Sequence, residues 1–579
     1  GLSLTQDNKP RKADPPGARE QVTYLLEHWI RVWNEAGGAE KACVAFLAVL
    51  QQQGVLKTDE STEVFLRIAA EVCVEACLKS GAPAPVQEGQ DPATQTANQF
   101  SYNVIDAFSA MLVILVKYAS SDPQSLTSRV HLLNRILSTL IRVLTNDHDA
   151  RRGQTGAAGT PNAPFDERPF FRLFLNLLKD LTAPDPVVDA NNLQVLGAFA
   201  TALHALQPAA IPAFAFAWLE LISHRAFMPA LLLSKPAQKG WMLMHRLLID
   251  LFVFMEPYLR RSNNQLTQSV RQLYKGTLRV LLVLLHDFPE FLCDYHFSFC
   301  DVIPPTCIQL RNLFLSAFPR SMRLPDPFTP NLKVDLLPEI SQPPRILSNY
   351  MAALSHNGLR QDLDAYLKNR RNSGFLDWLP DRLRASNGEN PNAGYTYNVP
   401  AINSLVVYVG TQAISQLQNK STPITHSAPM DIFHSLISAL DAEGRYFLLN
   451  AIANQLRYPN NHTHYFSCVL LYLFAEAGNE FIQEQITRVL LERLIVHRPH
   501  PWGLLITFIE LIKNPRYNFW AHSFTHCAQE IERVFESVAR SCMGPGHVSG
   551  AAGGTEGSGS ENTGVSPSLG PVPIPRTEA

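Results

Sequence analysis

At 579 residues, with 46% hydrophobic and only 17% charged side chains, the chain can bury a large core, either as several domains or as one extended repeat array. A net charge of −2 excludes a global field that would recruit nucleic acid, and nine irregularly spaced cysteines exclude a disulfide framework. The most apolar stretch, 209–233, is broken by Glu220, His224, Arg225 and two prolines, so no membrane span is expected and a soluble, intracellular protein is.

Residues 1–17 are polar and proline-containing, which predicts a disordered leader. From Arg19 onward, Val22, Leu25, Leu26, Trp29, Ile30 and Trp33 recur at three- and four-residue spacing, the pattern of an amphipathic helix closed by Gly37–Gly38. A partner helix over 39–53 ends at Gly54, and a third over 59–78 is stopped by Ser80–Gly81, Pro83 and Pro85. Residues 80–97 carry no large apolar side chain beyond Val86 and read as a loop. The next hairpin spans 100–118 and 124–144 around a turn at Ser120–Pro123. Glycine-rich RRGQTGAAGTPNAP at 151–164 marks the main domain boundary. An N-terminal bundle at 18–146 and a flexible insert at 147–167 then precede a main domain at 168–543.

Helices are expected at 168–182, 190–206, 209–223, 237–256 and 264–286. Leu278–Leu285 is apolar apart from Arg279, which predicts that its helix sits inside the stack. Further helices are expected at 343–356, 359–370, 374–384, 399–417, 429–440, 443–456, 463–475, 480–496, 501–513 and 523–541, with a loop at 386–394. The Gly/Ser/Pro-rich end from 544 to 579 predicts a disordered tail. Strand signals are almost absent. Antiparallel helix pairs every 40 or so residues, without internal identity, predict an all-α, HEAT-like helical repeat solenoid stacked in a right-handed sense.

Between the two helical runs lies HDFPEFLCDYHFSFCDVIPPTCIQLRNLFLSAFPRSMRLPDPFTPNLKVDLLP at 286–338. Its prolines exclude a long helix across Leu324–Asn331. Its aromatic density excludes a floppy linker, because disordered linkers are aromatic-poor. Two readings stay open: an irregular connector packed on the core, or an ordered surface presented to a partner. On the second reading the candidate partner-binding residues are Tyr295, His296, Phe297, Arg323, Pro325, Asp326, Phe328, Pro330, Asn331, Lys333 and Asp335.

The strings DFPEFLCDYHFSFCDVIPP and RLPDPFTPNLKVDLL resemble the C-terminal homology domain of the scaffold subunit (Not-one) of the CCR–NOT deadenylase complex. LRYPNNHTHYFSCVLLYLF at 456–474 and RPHPWGLLITFIELIKNP at 498–515, followed by FWAHSF and VARSCM, look like the same family in the same order. The resemblance is clearest over 165–543. It implies a non-catalytic scaffold, in the cytoplasm including mRNA-processing bodies and in the nucleus. On it the Not-two subunit docks together with a Not-three or Not-five subunit. Their complex shortens poly(A) tails, drives mRNA decay, represses translation and regulates transcription. Adaptor proteins bound to particular mRNAs would add short linear motifs between its helices. The nuclease subunits bind elsewhere on the family's scaffold, so no deadenylase activity is expected here.

No phosphate loop, dinucleotide fingerprint, zincin motif or nucleophile elbow occurs. Cys73 and Cys77 are one helical turn apart but have no neighbouring ligands in zinc spacing. Cys293, Cys300 and Cys307 lack a fourth ligand. His462 and His464 fit a helix-capping turn, YPNNHT, better than a general-base pair, and His522 and His526 sit four apart on a predicted helix. No catalytic residue, metal or cofactor is assigned. Cys43, Cys468 and Cys527 lie in apolar contexts and read as small buried hydrophobes in a reducing compartment. Residues 257–330 hold eight Arg/Lys against five acids, which reads as a solvated face. A composition-only alternative is a HEAT-type carrier or a direct RNA-binding solenoid; the first would be strongly acidic and the second strongly basic, and the chain is neither.

Overall fold

A computed structural model describes residues 14–35, 37, 40–81, 100–118, 126–152, 164–183, 193–261, 266–356, 358–370, 374–385, 395–419 and 424–543. The leader up to residue 13, the turn at Ser120–Pro123, most of the expected 80–97 and Gly-rich segments, the 386–394 loop and the 544–579 tail lie outside the described residues. Among the described residues the structure is all-α, with short 3-10 turns and one isolated β-bridge between Arg384 and Tyr397. The chain divides into two compact units, with the boundary after Asn518.

The first unit begins with α1 (Ala18–Glu35), α2 (Glu40–Gln52), α3 (Asp59–Ser80), α4 (Asn103–Lys117) and α5 (Leu126–Arg151). It continues through α6 (Arg168–Thr182), α7 (Leu193–Ala205), α8 (Ala215–Ser223), α9 (Met228–Leu233), α10 (Ala237–Arg261), α11 (Gln268–Asp287), α12 (Pro289–Val302) and α13 (Ile308–Leu315). Local sequence sets the ends: Thr58 and Ser61 make a reciprocal capping box ahead of α3, and Pro169 occupies the first turn of α6, where its missing N–H costs nothing. Phe170, Leu173, Phe174, Leu177, Leu178 and Leu181 then form the buried stripe of α6. Helices pack on the one two places later, or three where the short α9 intervenes: α3 on α5, α5 on α7, α7 on α10 and α10 on α12 in one layer; α4 on α6, α6 on α8, α8 on α11 and α11 on α13 in the other. That two-layer stacking is the HEAT-like order, in which each helix pair buries the face its neighbour leaves open.

The expected boundary at 147–167 does not separate the packing. The α5 helix runs on to Arg151, and α4 packs on α6. Arg172 donates to both carboxylate oxygens of Asp106 at 2.8 and 3.0 Å, and Asn176 Nδ2 donates to Asp106 Oδ1 at 2.7 Å. Glycine-rich composition reports the freedom of a connector, not whether the helices flanking it carry matching apolar faces.

A second run comprises α14 (Ala352–His356), α15 (Leu359–Asn369), α16 (Gly374–Arg382), α17 (Val399–Asn419), α18 (Ala428–Ala439), α19 (Ala442–Ala453), α20 (Asn461–Glu476), α21 (Glu480–Leu494) and α22 (Trp502–Lys513). It joins the first through α12 on α17 and α13 on α21. The second unit holds α23 (Gln529–Met543) and 3-10 turns that carry Phe519 and Phe524; the Phe519 ring meets Phe524 at 6.1 Å and Phe535 of α23 at 5.7 Å, both edge-on. No helix among the described residues is long and apolar enough to cross a membrane.

Several expectations are corrected. Helix is present only from 352 within 343–356, because Pro343 and Pro344 hold the chain extended and Leu347 N donates to Asp294 O at 2.9 Å instead of to a helical carbonyl. His522 and His526 lie in 3-10 turns and not on a helix, since α23 starts only at Gln529. Cys527, in the same turn region, is exposed rather than buried. The α11 helix is not enclosed: Leu282 and Val283 are 48% and 44% exposed, because α8, α10, α12 and α13 cover one side of it only.

Candidate partner-docking surface

The aromatic segment at 286–338 resolves into two parts with different physics. Pro289 stands in the first turn of α12 and starts that helix rather than breaking it. Phe291, Tyr295 and Phe299 follow at i, i+4 and i+8, so their rings share one buried face, against Trp241 (5.8 Å), His245 (4.2 Å, stacked) and Phe252 (5.6 Å) of α10. Tyr295, His296 and Phe297 are therefore core residues, all buried, with His296 inaccessible to solvent. Their assignment to a docking surface is corrected: the aromatic density there encodes helix packing. The His296 ring lies with Nδ1 3.0 Å from Cys293 O, and burial, reinforced by the Arg457 charge, holds its basicity well below the usual imidazole range.

Beyond α13 the chain becomes a strap across 316–351. It is pinned near its start by Arg320, whose N–H donates to Glu290 Oε1 at 2.8 Å and whose guanidinium caps α11 through His286 O at 3.2 Å. Trp502 Nε1 donates to Pro325 O at 2.8 Å, which latches the strap to α22. Further on, Ile340 is buried against α20, Gln342 O accepts from Asn461 N at 2.9 Å, and Arg345 pairs with Asp294 at 3.3 Å. Burial pushes the Asp294 carboxyl up to about 6 against the pull of Arg345 and Arg457.

Between the pins, the strap is ordered by its own turns. Asp326 Oδ1 accepts from Phe328 N at 3.0 Å, and Thr329 N donates to Asp326 O at 3.1 Å. Leu332 N donates to Thr329 O at 3.3 Å across Asn331, which holds a left-handed φ of 56° that asparagine tolerates better than most residues. Arg323, Asp326, Phe328, Pro330, Asn331, Lys333 and Asp335 are exposed and Pro325 is half-buried. Phe328 is 39% exposed, and Leu336, which the sequence reading passed over, is 73% exposed. Asp335 Oδ1 lies 3.7 Å from His464 Nδ1 on α20. The geometry thus keeps eight of the eleven candidate residues on one continuous surface segment and removes three to the core.

Beneath the strap runs a polar seam that sequence reasoning missed. Arg311, Arg457 and Arg493 are buried where the two helical runs meet. Arg311 donates to Cys300 O, Ile303 O and Pro304 O at 3.2–3.4 Å, neutralising the C-terminal carbonyls of α12, and to Asn454 Oδ1 at 3.2 Å. Arg457 Nη1 donates to Cys293 O at 3.2 Å. Asn460 caps α20 by accepting from Thr463 N at 2.9 Å, and Thr463 Oγ1 donates to Tyr458 O at 2.8 Å, so the YPNNHT turn is a cap in which His462 is buried. The signal in sequence was a lone arginine within a largely apolar run for Arg311 and Arg493; Arg457, in the polar NQLRYPNN turn, carried none. Gly503 is required here: its N–H meets Arg457 O at 2.6 Å, and a Cβ would stand 2.7 Å from that oxygen and 2.4 Å from Thr463 Cγ2.

Small cavities of about 10 Å³ beside the seam, lined by residues such as His296, Asp301, Asn403 and Asn454, have room for about one water. Cys73 and Cys293 are buried, and burial pushes the Cys293 thiol up to about 12, so it is not poised as a thiolate. Among the described residues no three His, Cys, Asp or Glu side chains are arranged to hold a metal ion.

The family model described as "CCR4-Not complex component, Not1" matches residues 178–539. The chain belongs to the Not1 family. It is 43% identical over 540 residues to the CCR4-NOT transcription complex subunit let-711 of Caenorhabditis elegans, covering 90% of this chain and 20% of that protein. It is 33% identical over 548 residues to the general negative regulator of transcription subunit 1 of Schizosaccharomyces pombe, covering 93% of this chain and 24% of the relative. The chain therefore spans about a fifth to a quarter of the length of these curated relatives. Among solved structures, the NOT1 superfamily homology domain from Chaetomium thermophilum superposes with a TM-score of 0.77 at 28% identity, over 91% of this chain and 99% of that one. A Not1 C-terminal domain in complex with Not4 superposes at 0.72 and 27% identity, over 90% of this chain and 99% of that one. The fold is thus the helical fold of the Not1 homology domains.

Proposed function

We propose that this Not1-family chain is a non-catalytic docking module, and that the strap from Arg323 to Leu336 captures the Not-two subunit together with a Not-three or Not-five subunit. The observation that carries the reading is the strap itself. It is fixed by turns and latches, yet it leaves Phe328 and Leu336 uncovered beside exposed Arg323, Lys333 and Asp335. An ordered, irregular segment has its conformational entropy already spent, so a wrapping partner meets a preorganised surface. Exposed apolar side chains ringed by polar ones are the composition of an interface centre and rim. The likeness to a Not1 domain in complex with Not4 supports a Not4-type partner on the same module. Short motifs of mRNA-bound adaptors are further occupants of the helical faces. Through these partners the module supports poly(A)-tail shortening, mRNA decay, translational repression and transcription regulation, in cytoplasm and nucleus.

The test is capture of purified Not-two and Not-five C-terminal regions by the full chain at low and high salt, beside filter binding to oligo(A). Salt-resistant capture of both subunits together is the expected result. No capture, with tight oligo(A) binding, overturns the reading in favour of a direct RNA-binding solenoid.

A further inference from the structure

The α11 helix carries a face that the strap reading does not use. Arg271, Lys275 and Arg279 stand at i, i+4 and i+8, all exposed, and Leu282, Val283 and His286 continue the same side. At 100° per residue these six positions fall within an arc of roughly 120° and extend over roughly 22 Å. The helix has a single acid, Asp287, at its last residue, where its carboxylate meets His286 Nδ1 at 2.8 Å. Among the described residues neither Lys275 nor Arg279 makes an ion pair, and Arg271 reaches only Leu266 O at 3.5 Å. The opposite side of α11, with Leu273, Thr277, Val280, Leu281 and Leu284, is the one that packs into the stack.

Two features of this face select its occupant. In a chain of net charge −2, three neighbouring cations without carboxylates form a local positive stripe, which attracts acidic partners. Leu282 and Val283, 48% and 44% exposed, are aliphatic anchors at the end of that stripe. A nucleic acid would draw on aromatic platforms for its bases, and the face presents no Phe, Tyr or Trp. The stripe also runs into the strap, because Arg320 caps the His286 carbonyl at the end of α11 at 3.2 Å.

We propose that the Arg271–His286 face of α11 docks an acidic amphipathic helix of a protein partner, with aliphatic side chains on Leu282 and Val283 and carboxylates along Arg271, Lys275 and Arg279. A segment of about fifteen residues would match the length of the face. The proposal deepens the docking reading, but it concerns a different element, so the two can fail separately.

The experiment is selection of a displayed library of helical peptides on the full chain, after depletion on an Arg271→Glu/Lys275→Glu/Arg279→Glu variant. Enriched peptides should carry Asp or Glu one turn apart beside Leu, Ile or Met. They should bind the native chain at least about tenfold more tightly than either that variant or Leu282→Ser/Val283→Ser, with salt weakening the charge-dependent part. All five positions are exposed or half-exposed, so both variants should keep the native helicity, and Arg279→Gln alone gives a milder check. Capture of Not-two and Not-five by the strap should be unchanged in both variants. Peptides without acidic enrichment, binding indifferent to the serine pair, or an oligo(A) that outcompetes every selected peptide would overturn the proposal.

Discussion

Arg493 gives the sharpest energetic prediction. It is fully buried on α21, where Nη2 donates to Asn450 O at 3.1 Å, to Asn454 Oδ1 at 2.9 Å and to Asn450 Oδ1, while Nε and Nη1 find no acceptor among the described residues. Desolvation, with the Arg311 charge second, pushes its guanidinium down to about 10, the mark of a cation incompletely compensated. Arg493→Ala removes these bonds and opens a cavity, and should cost about 3–5 kcal/mol. Arg493→Met keeps most of the volume and removes the desolvation penalty. Asn454 Oδ1 would still accept from Arg311 Nη1 at 3.2 Å, and Asn450 O would still accept from Asn454 N at 2.9 Å, which leaves chiefly Asn450 Oδ1 unpaired. Its cost should be about 1 kcal/mol. Urea unfolding followed by helical circular dichroism measures both. If methionine costs as much as alanine, the seam is an indispensable charge network and this reasoning is wrong.

Other tests are independent of that one. Gly503→Ala puts a Cβ 2.7 Å from Arg457 O and 2.8 Å from Leu456 C, backbone atoms that cannot rotate away, and should lower stability by about 2 kcal/mol; an unchanged melting temperature would mean that the loop shifts freely. Trp502→Phe removes the donor to Pro325 O and should cost about 1–2 kcal/mol and speed amide exchange at Thr329 and Leu332, whose N–H groups order the strap, leaving α12 protected. Burial holds His245 down to about 4, below the unfolded value near 6.5. Its contribution is therefore complete above pH 6.5 and is lost, up to roughly 3 kcal/mol, as pH falls toward 4. Asp294, raised to about 6, tilts the other way in both native and variant proteins, so the stability gap between native and His245→Gln should narrow by that amount between pH 7 and 4. Parallel pH curves would contradict the assignment.

Most of the helical order could be read from apolar spacing, because long amphipathic stripes such as Phe170–Leu181 report their own period. What failed was what proline and aromatic residues mean in context. Pro289 and Pro257 both lie inside helices, one in a first turn and one near a last turn, where few backbone bonds are lost. Conversely Pro343 and Pro344 open a stretch whose backbone partner, Asp294, is about fifty residues away, and periodicity cannot see such a partner. The candidate surface divided for the same reason. Tyr295, His296 and Phe297 share the aromatic density of the strap but sit on a helix clasped by α10. Leu336 was missed because it stands beside Leu337 in an irregular segment, where no period shows which of the two faces solvent. Likewise Leu282 and Val283 looked enclosed by composition, although tertiary packing leaves them open.

The central claim is that the strap docks the constitutive subunits, and the most direct measurement is capture of the Not-two and Not-five pair by the full chain carrying Phe328→Ala and Asn331→Asp, alongside Leu336→Ser. All three side chains are exposed, so helicity and melting should match the native chain, while capture weakens by about tenfold or more. Native-strength capture by both variants would contradict the account and place the docking surface elsewhere on the stack.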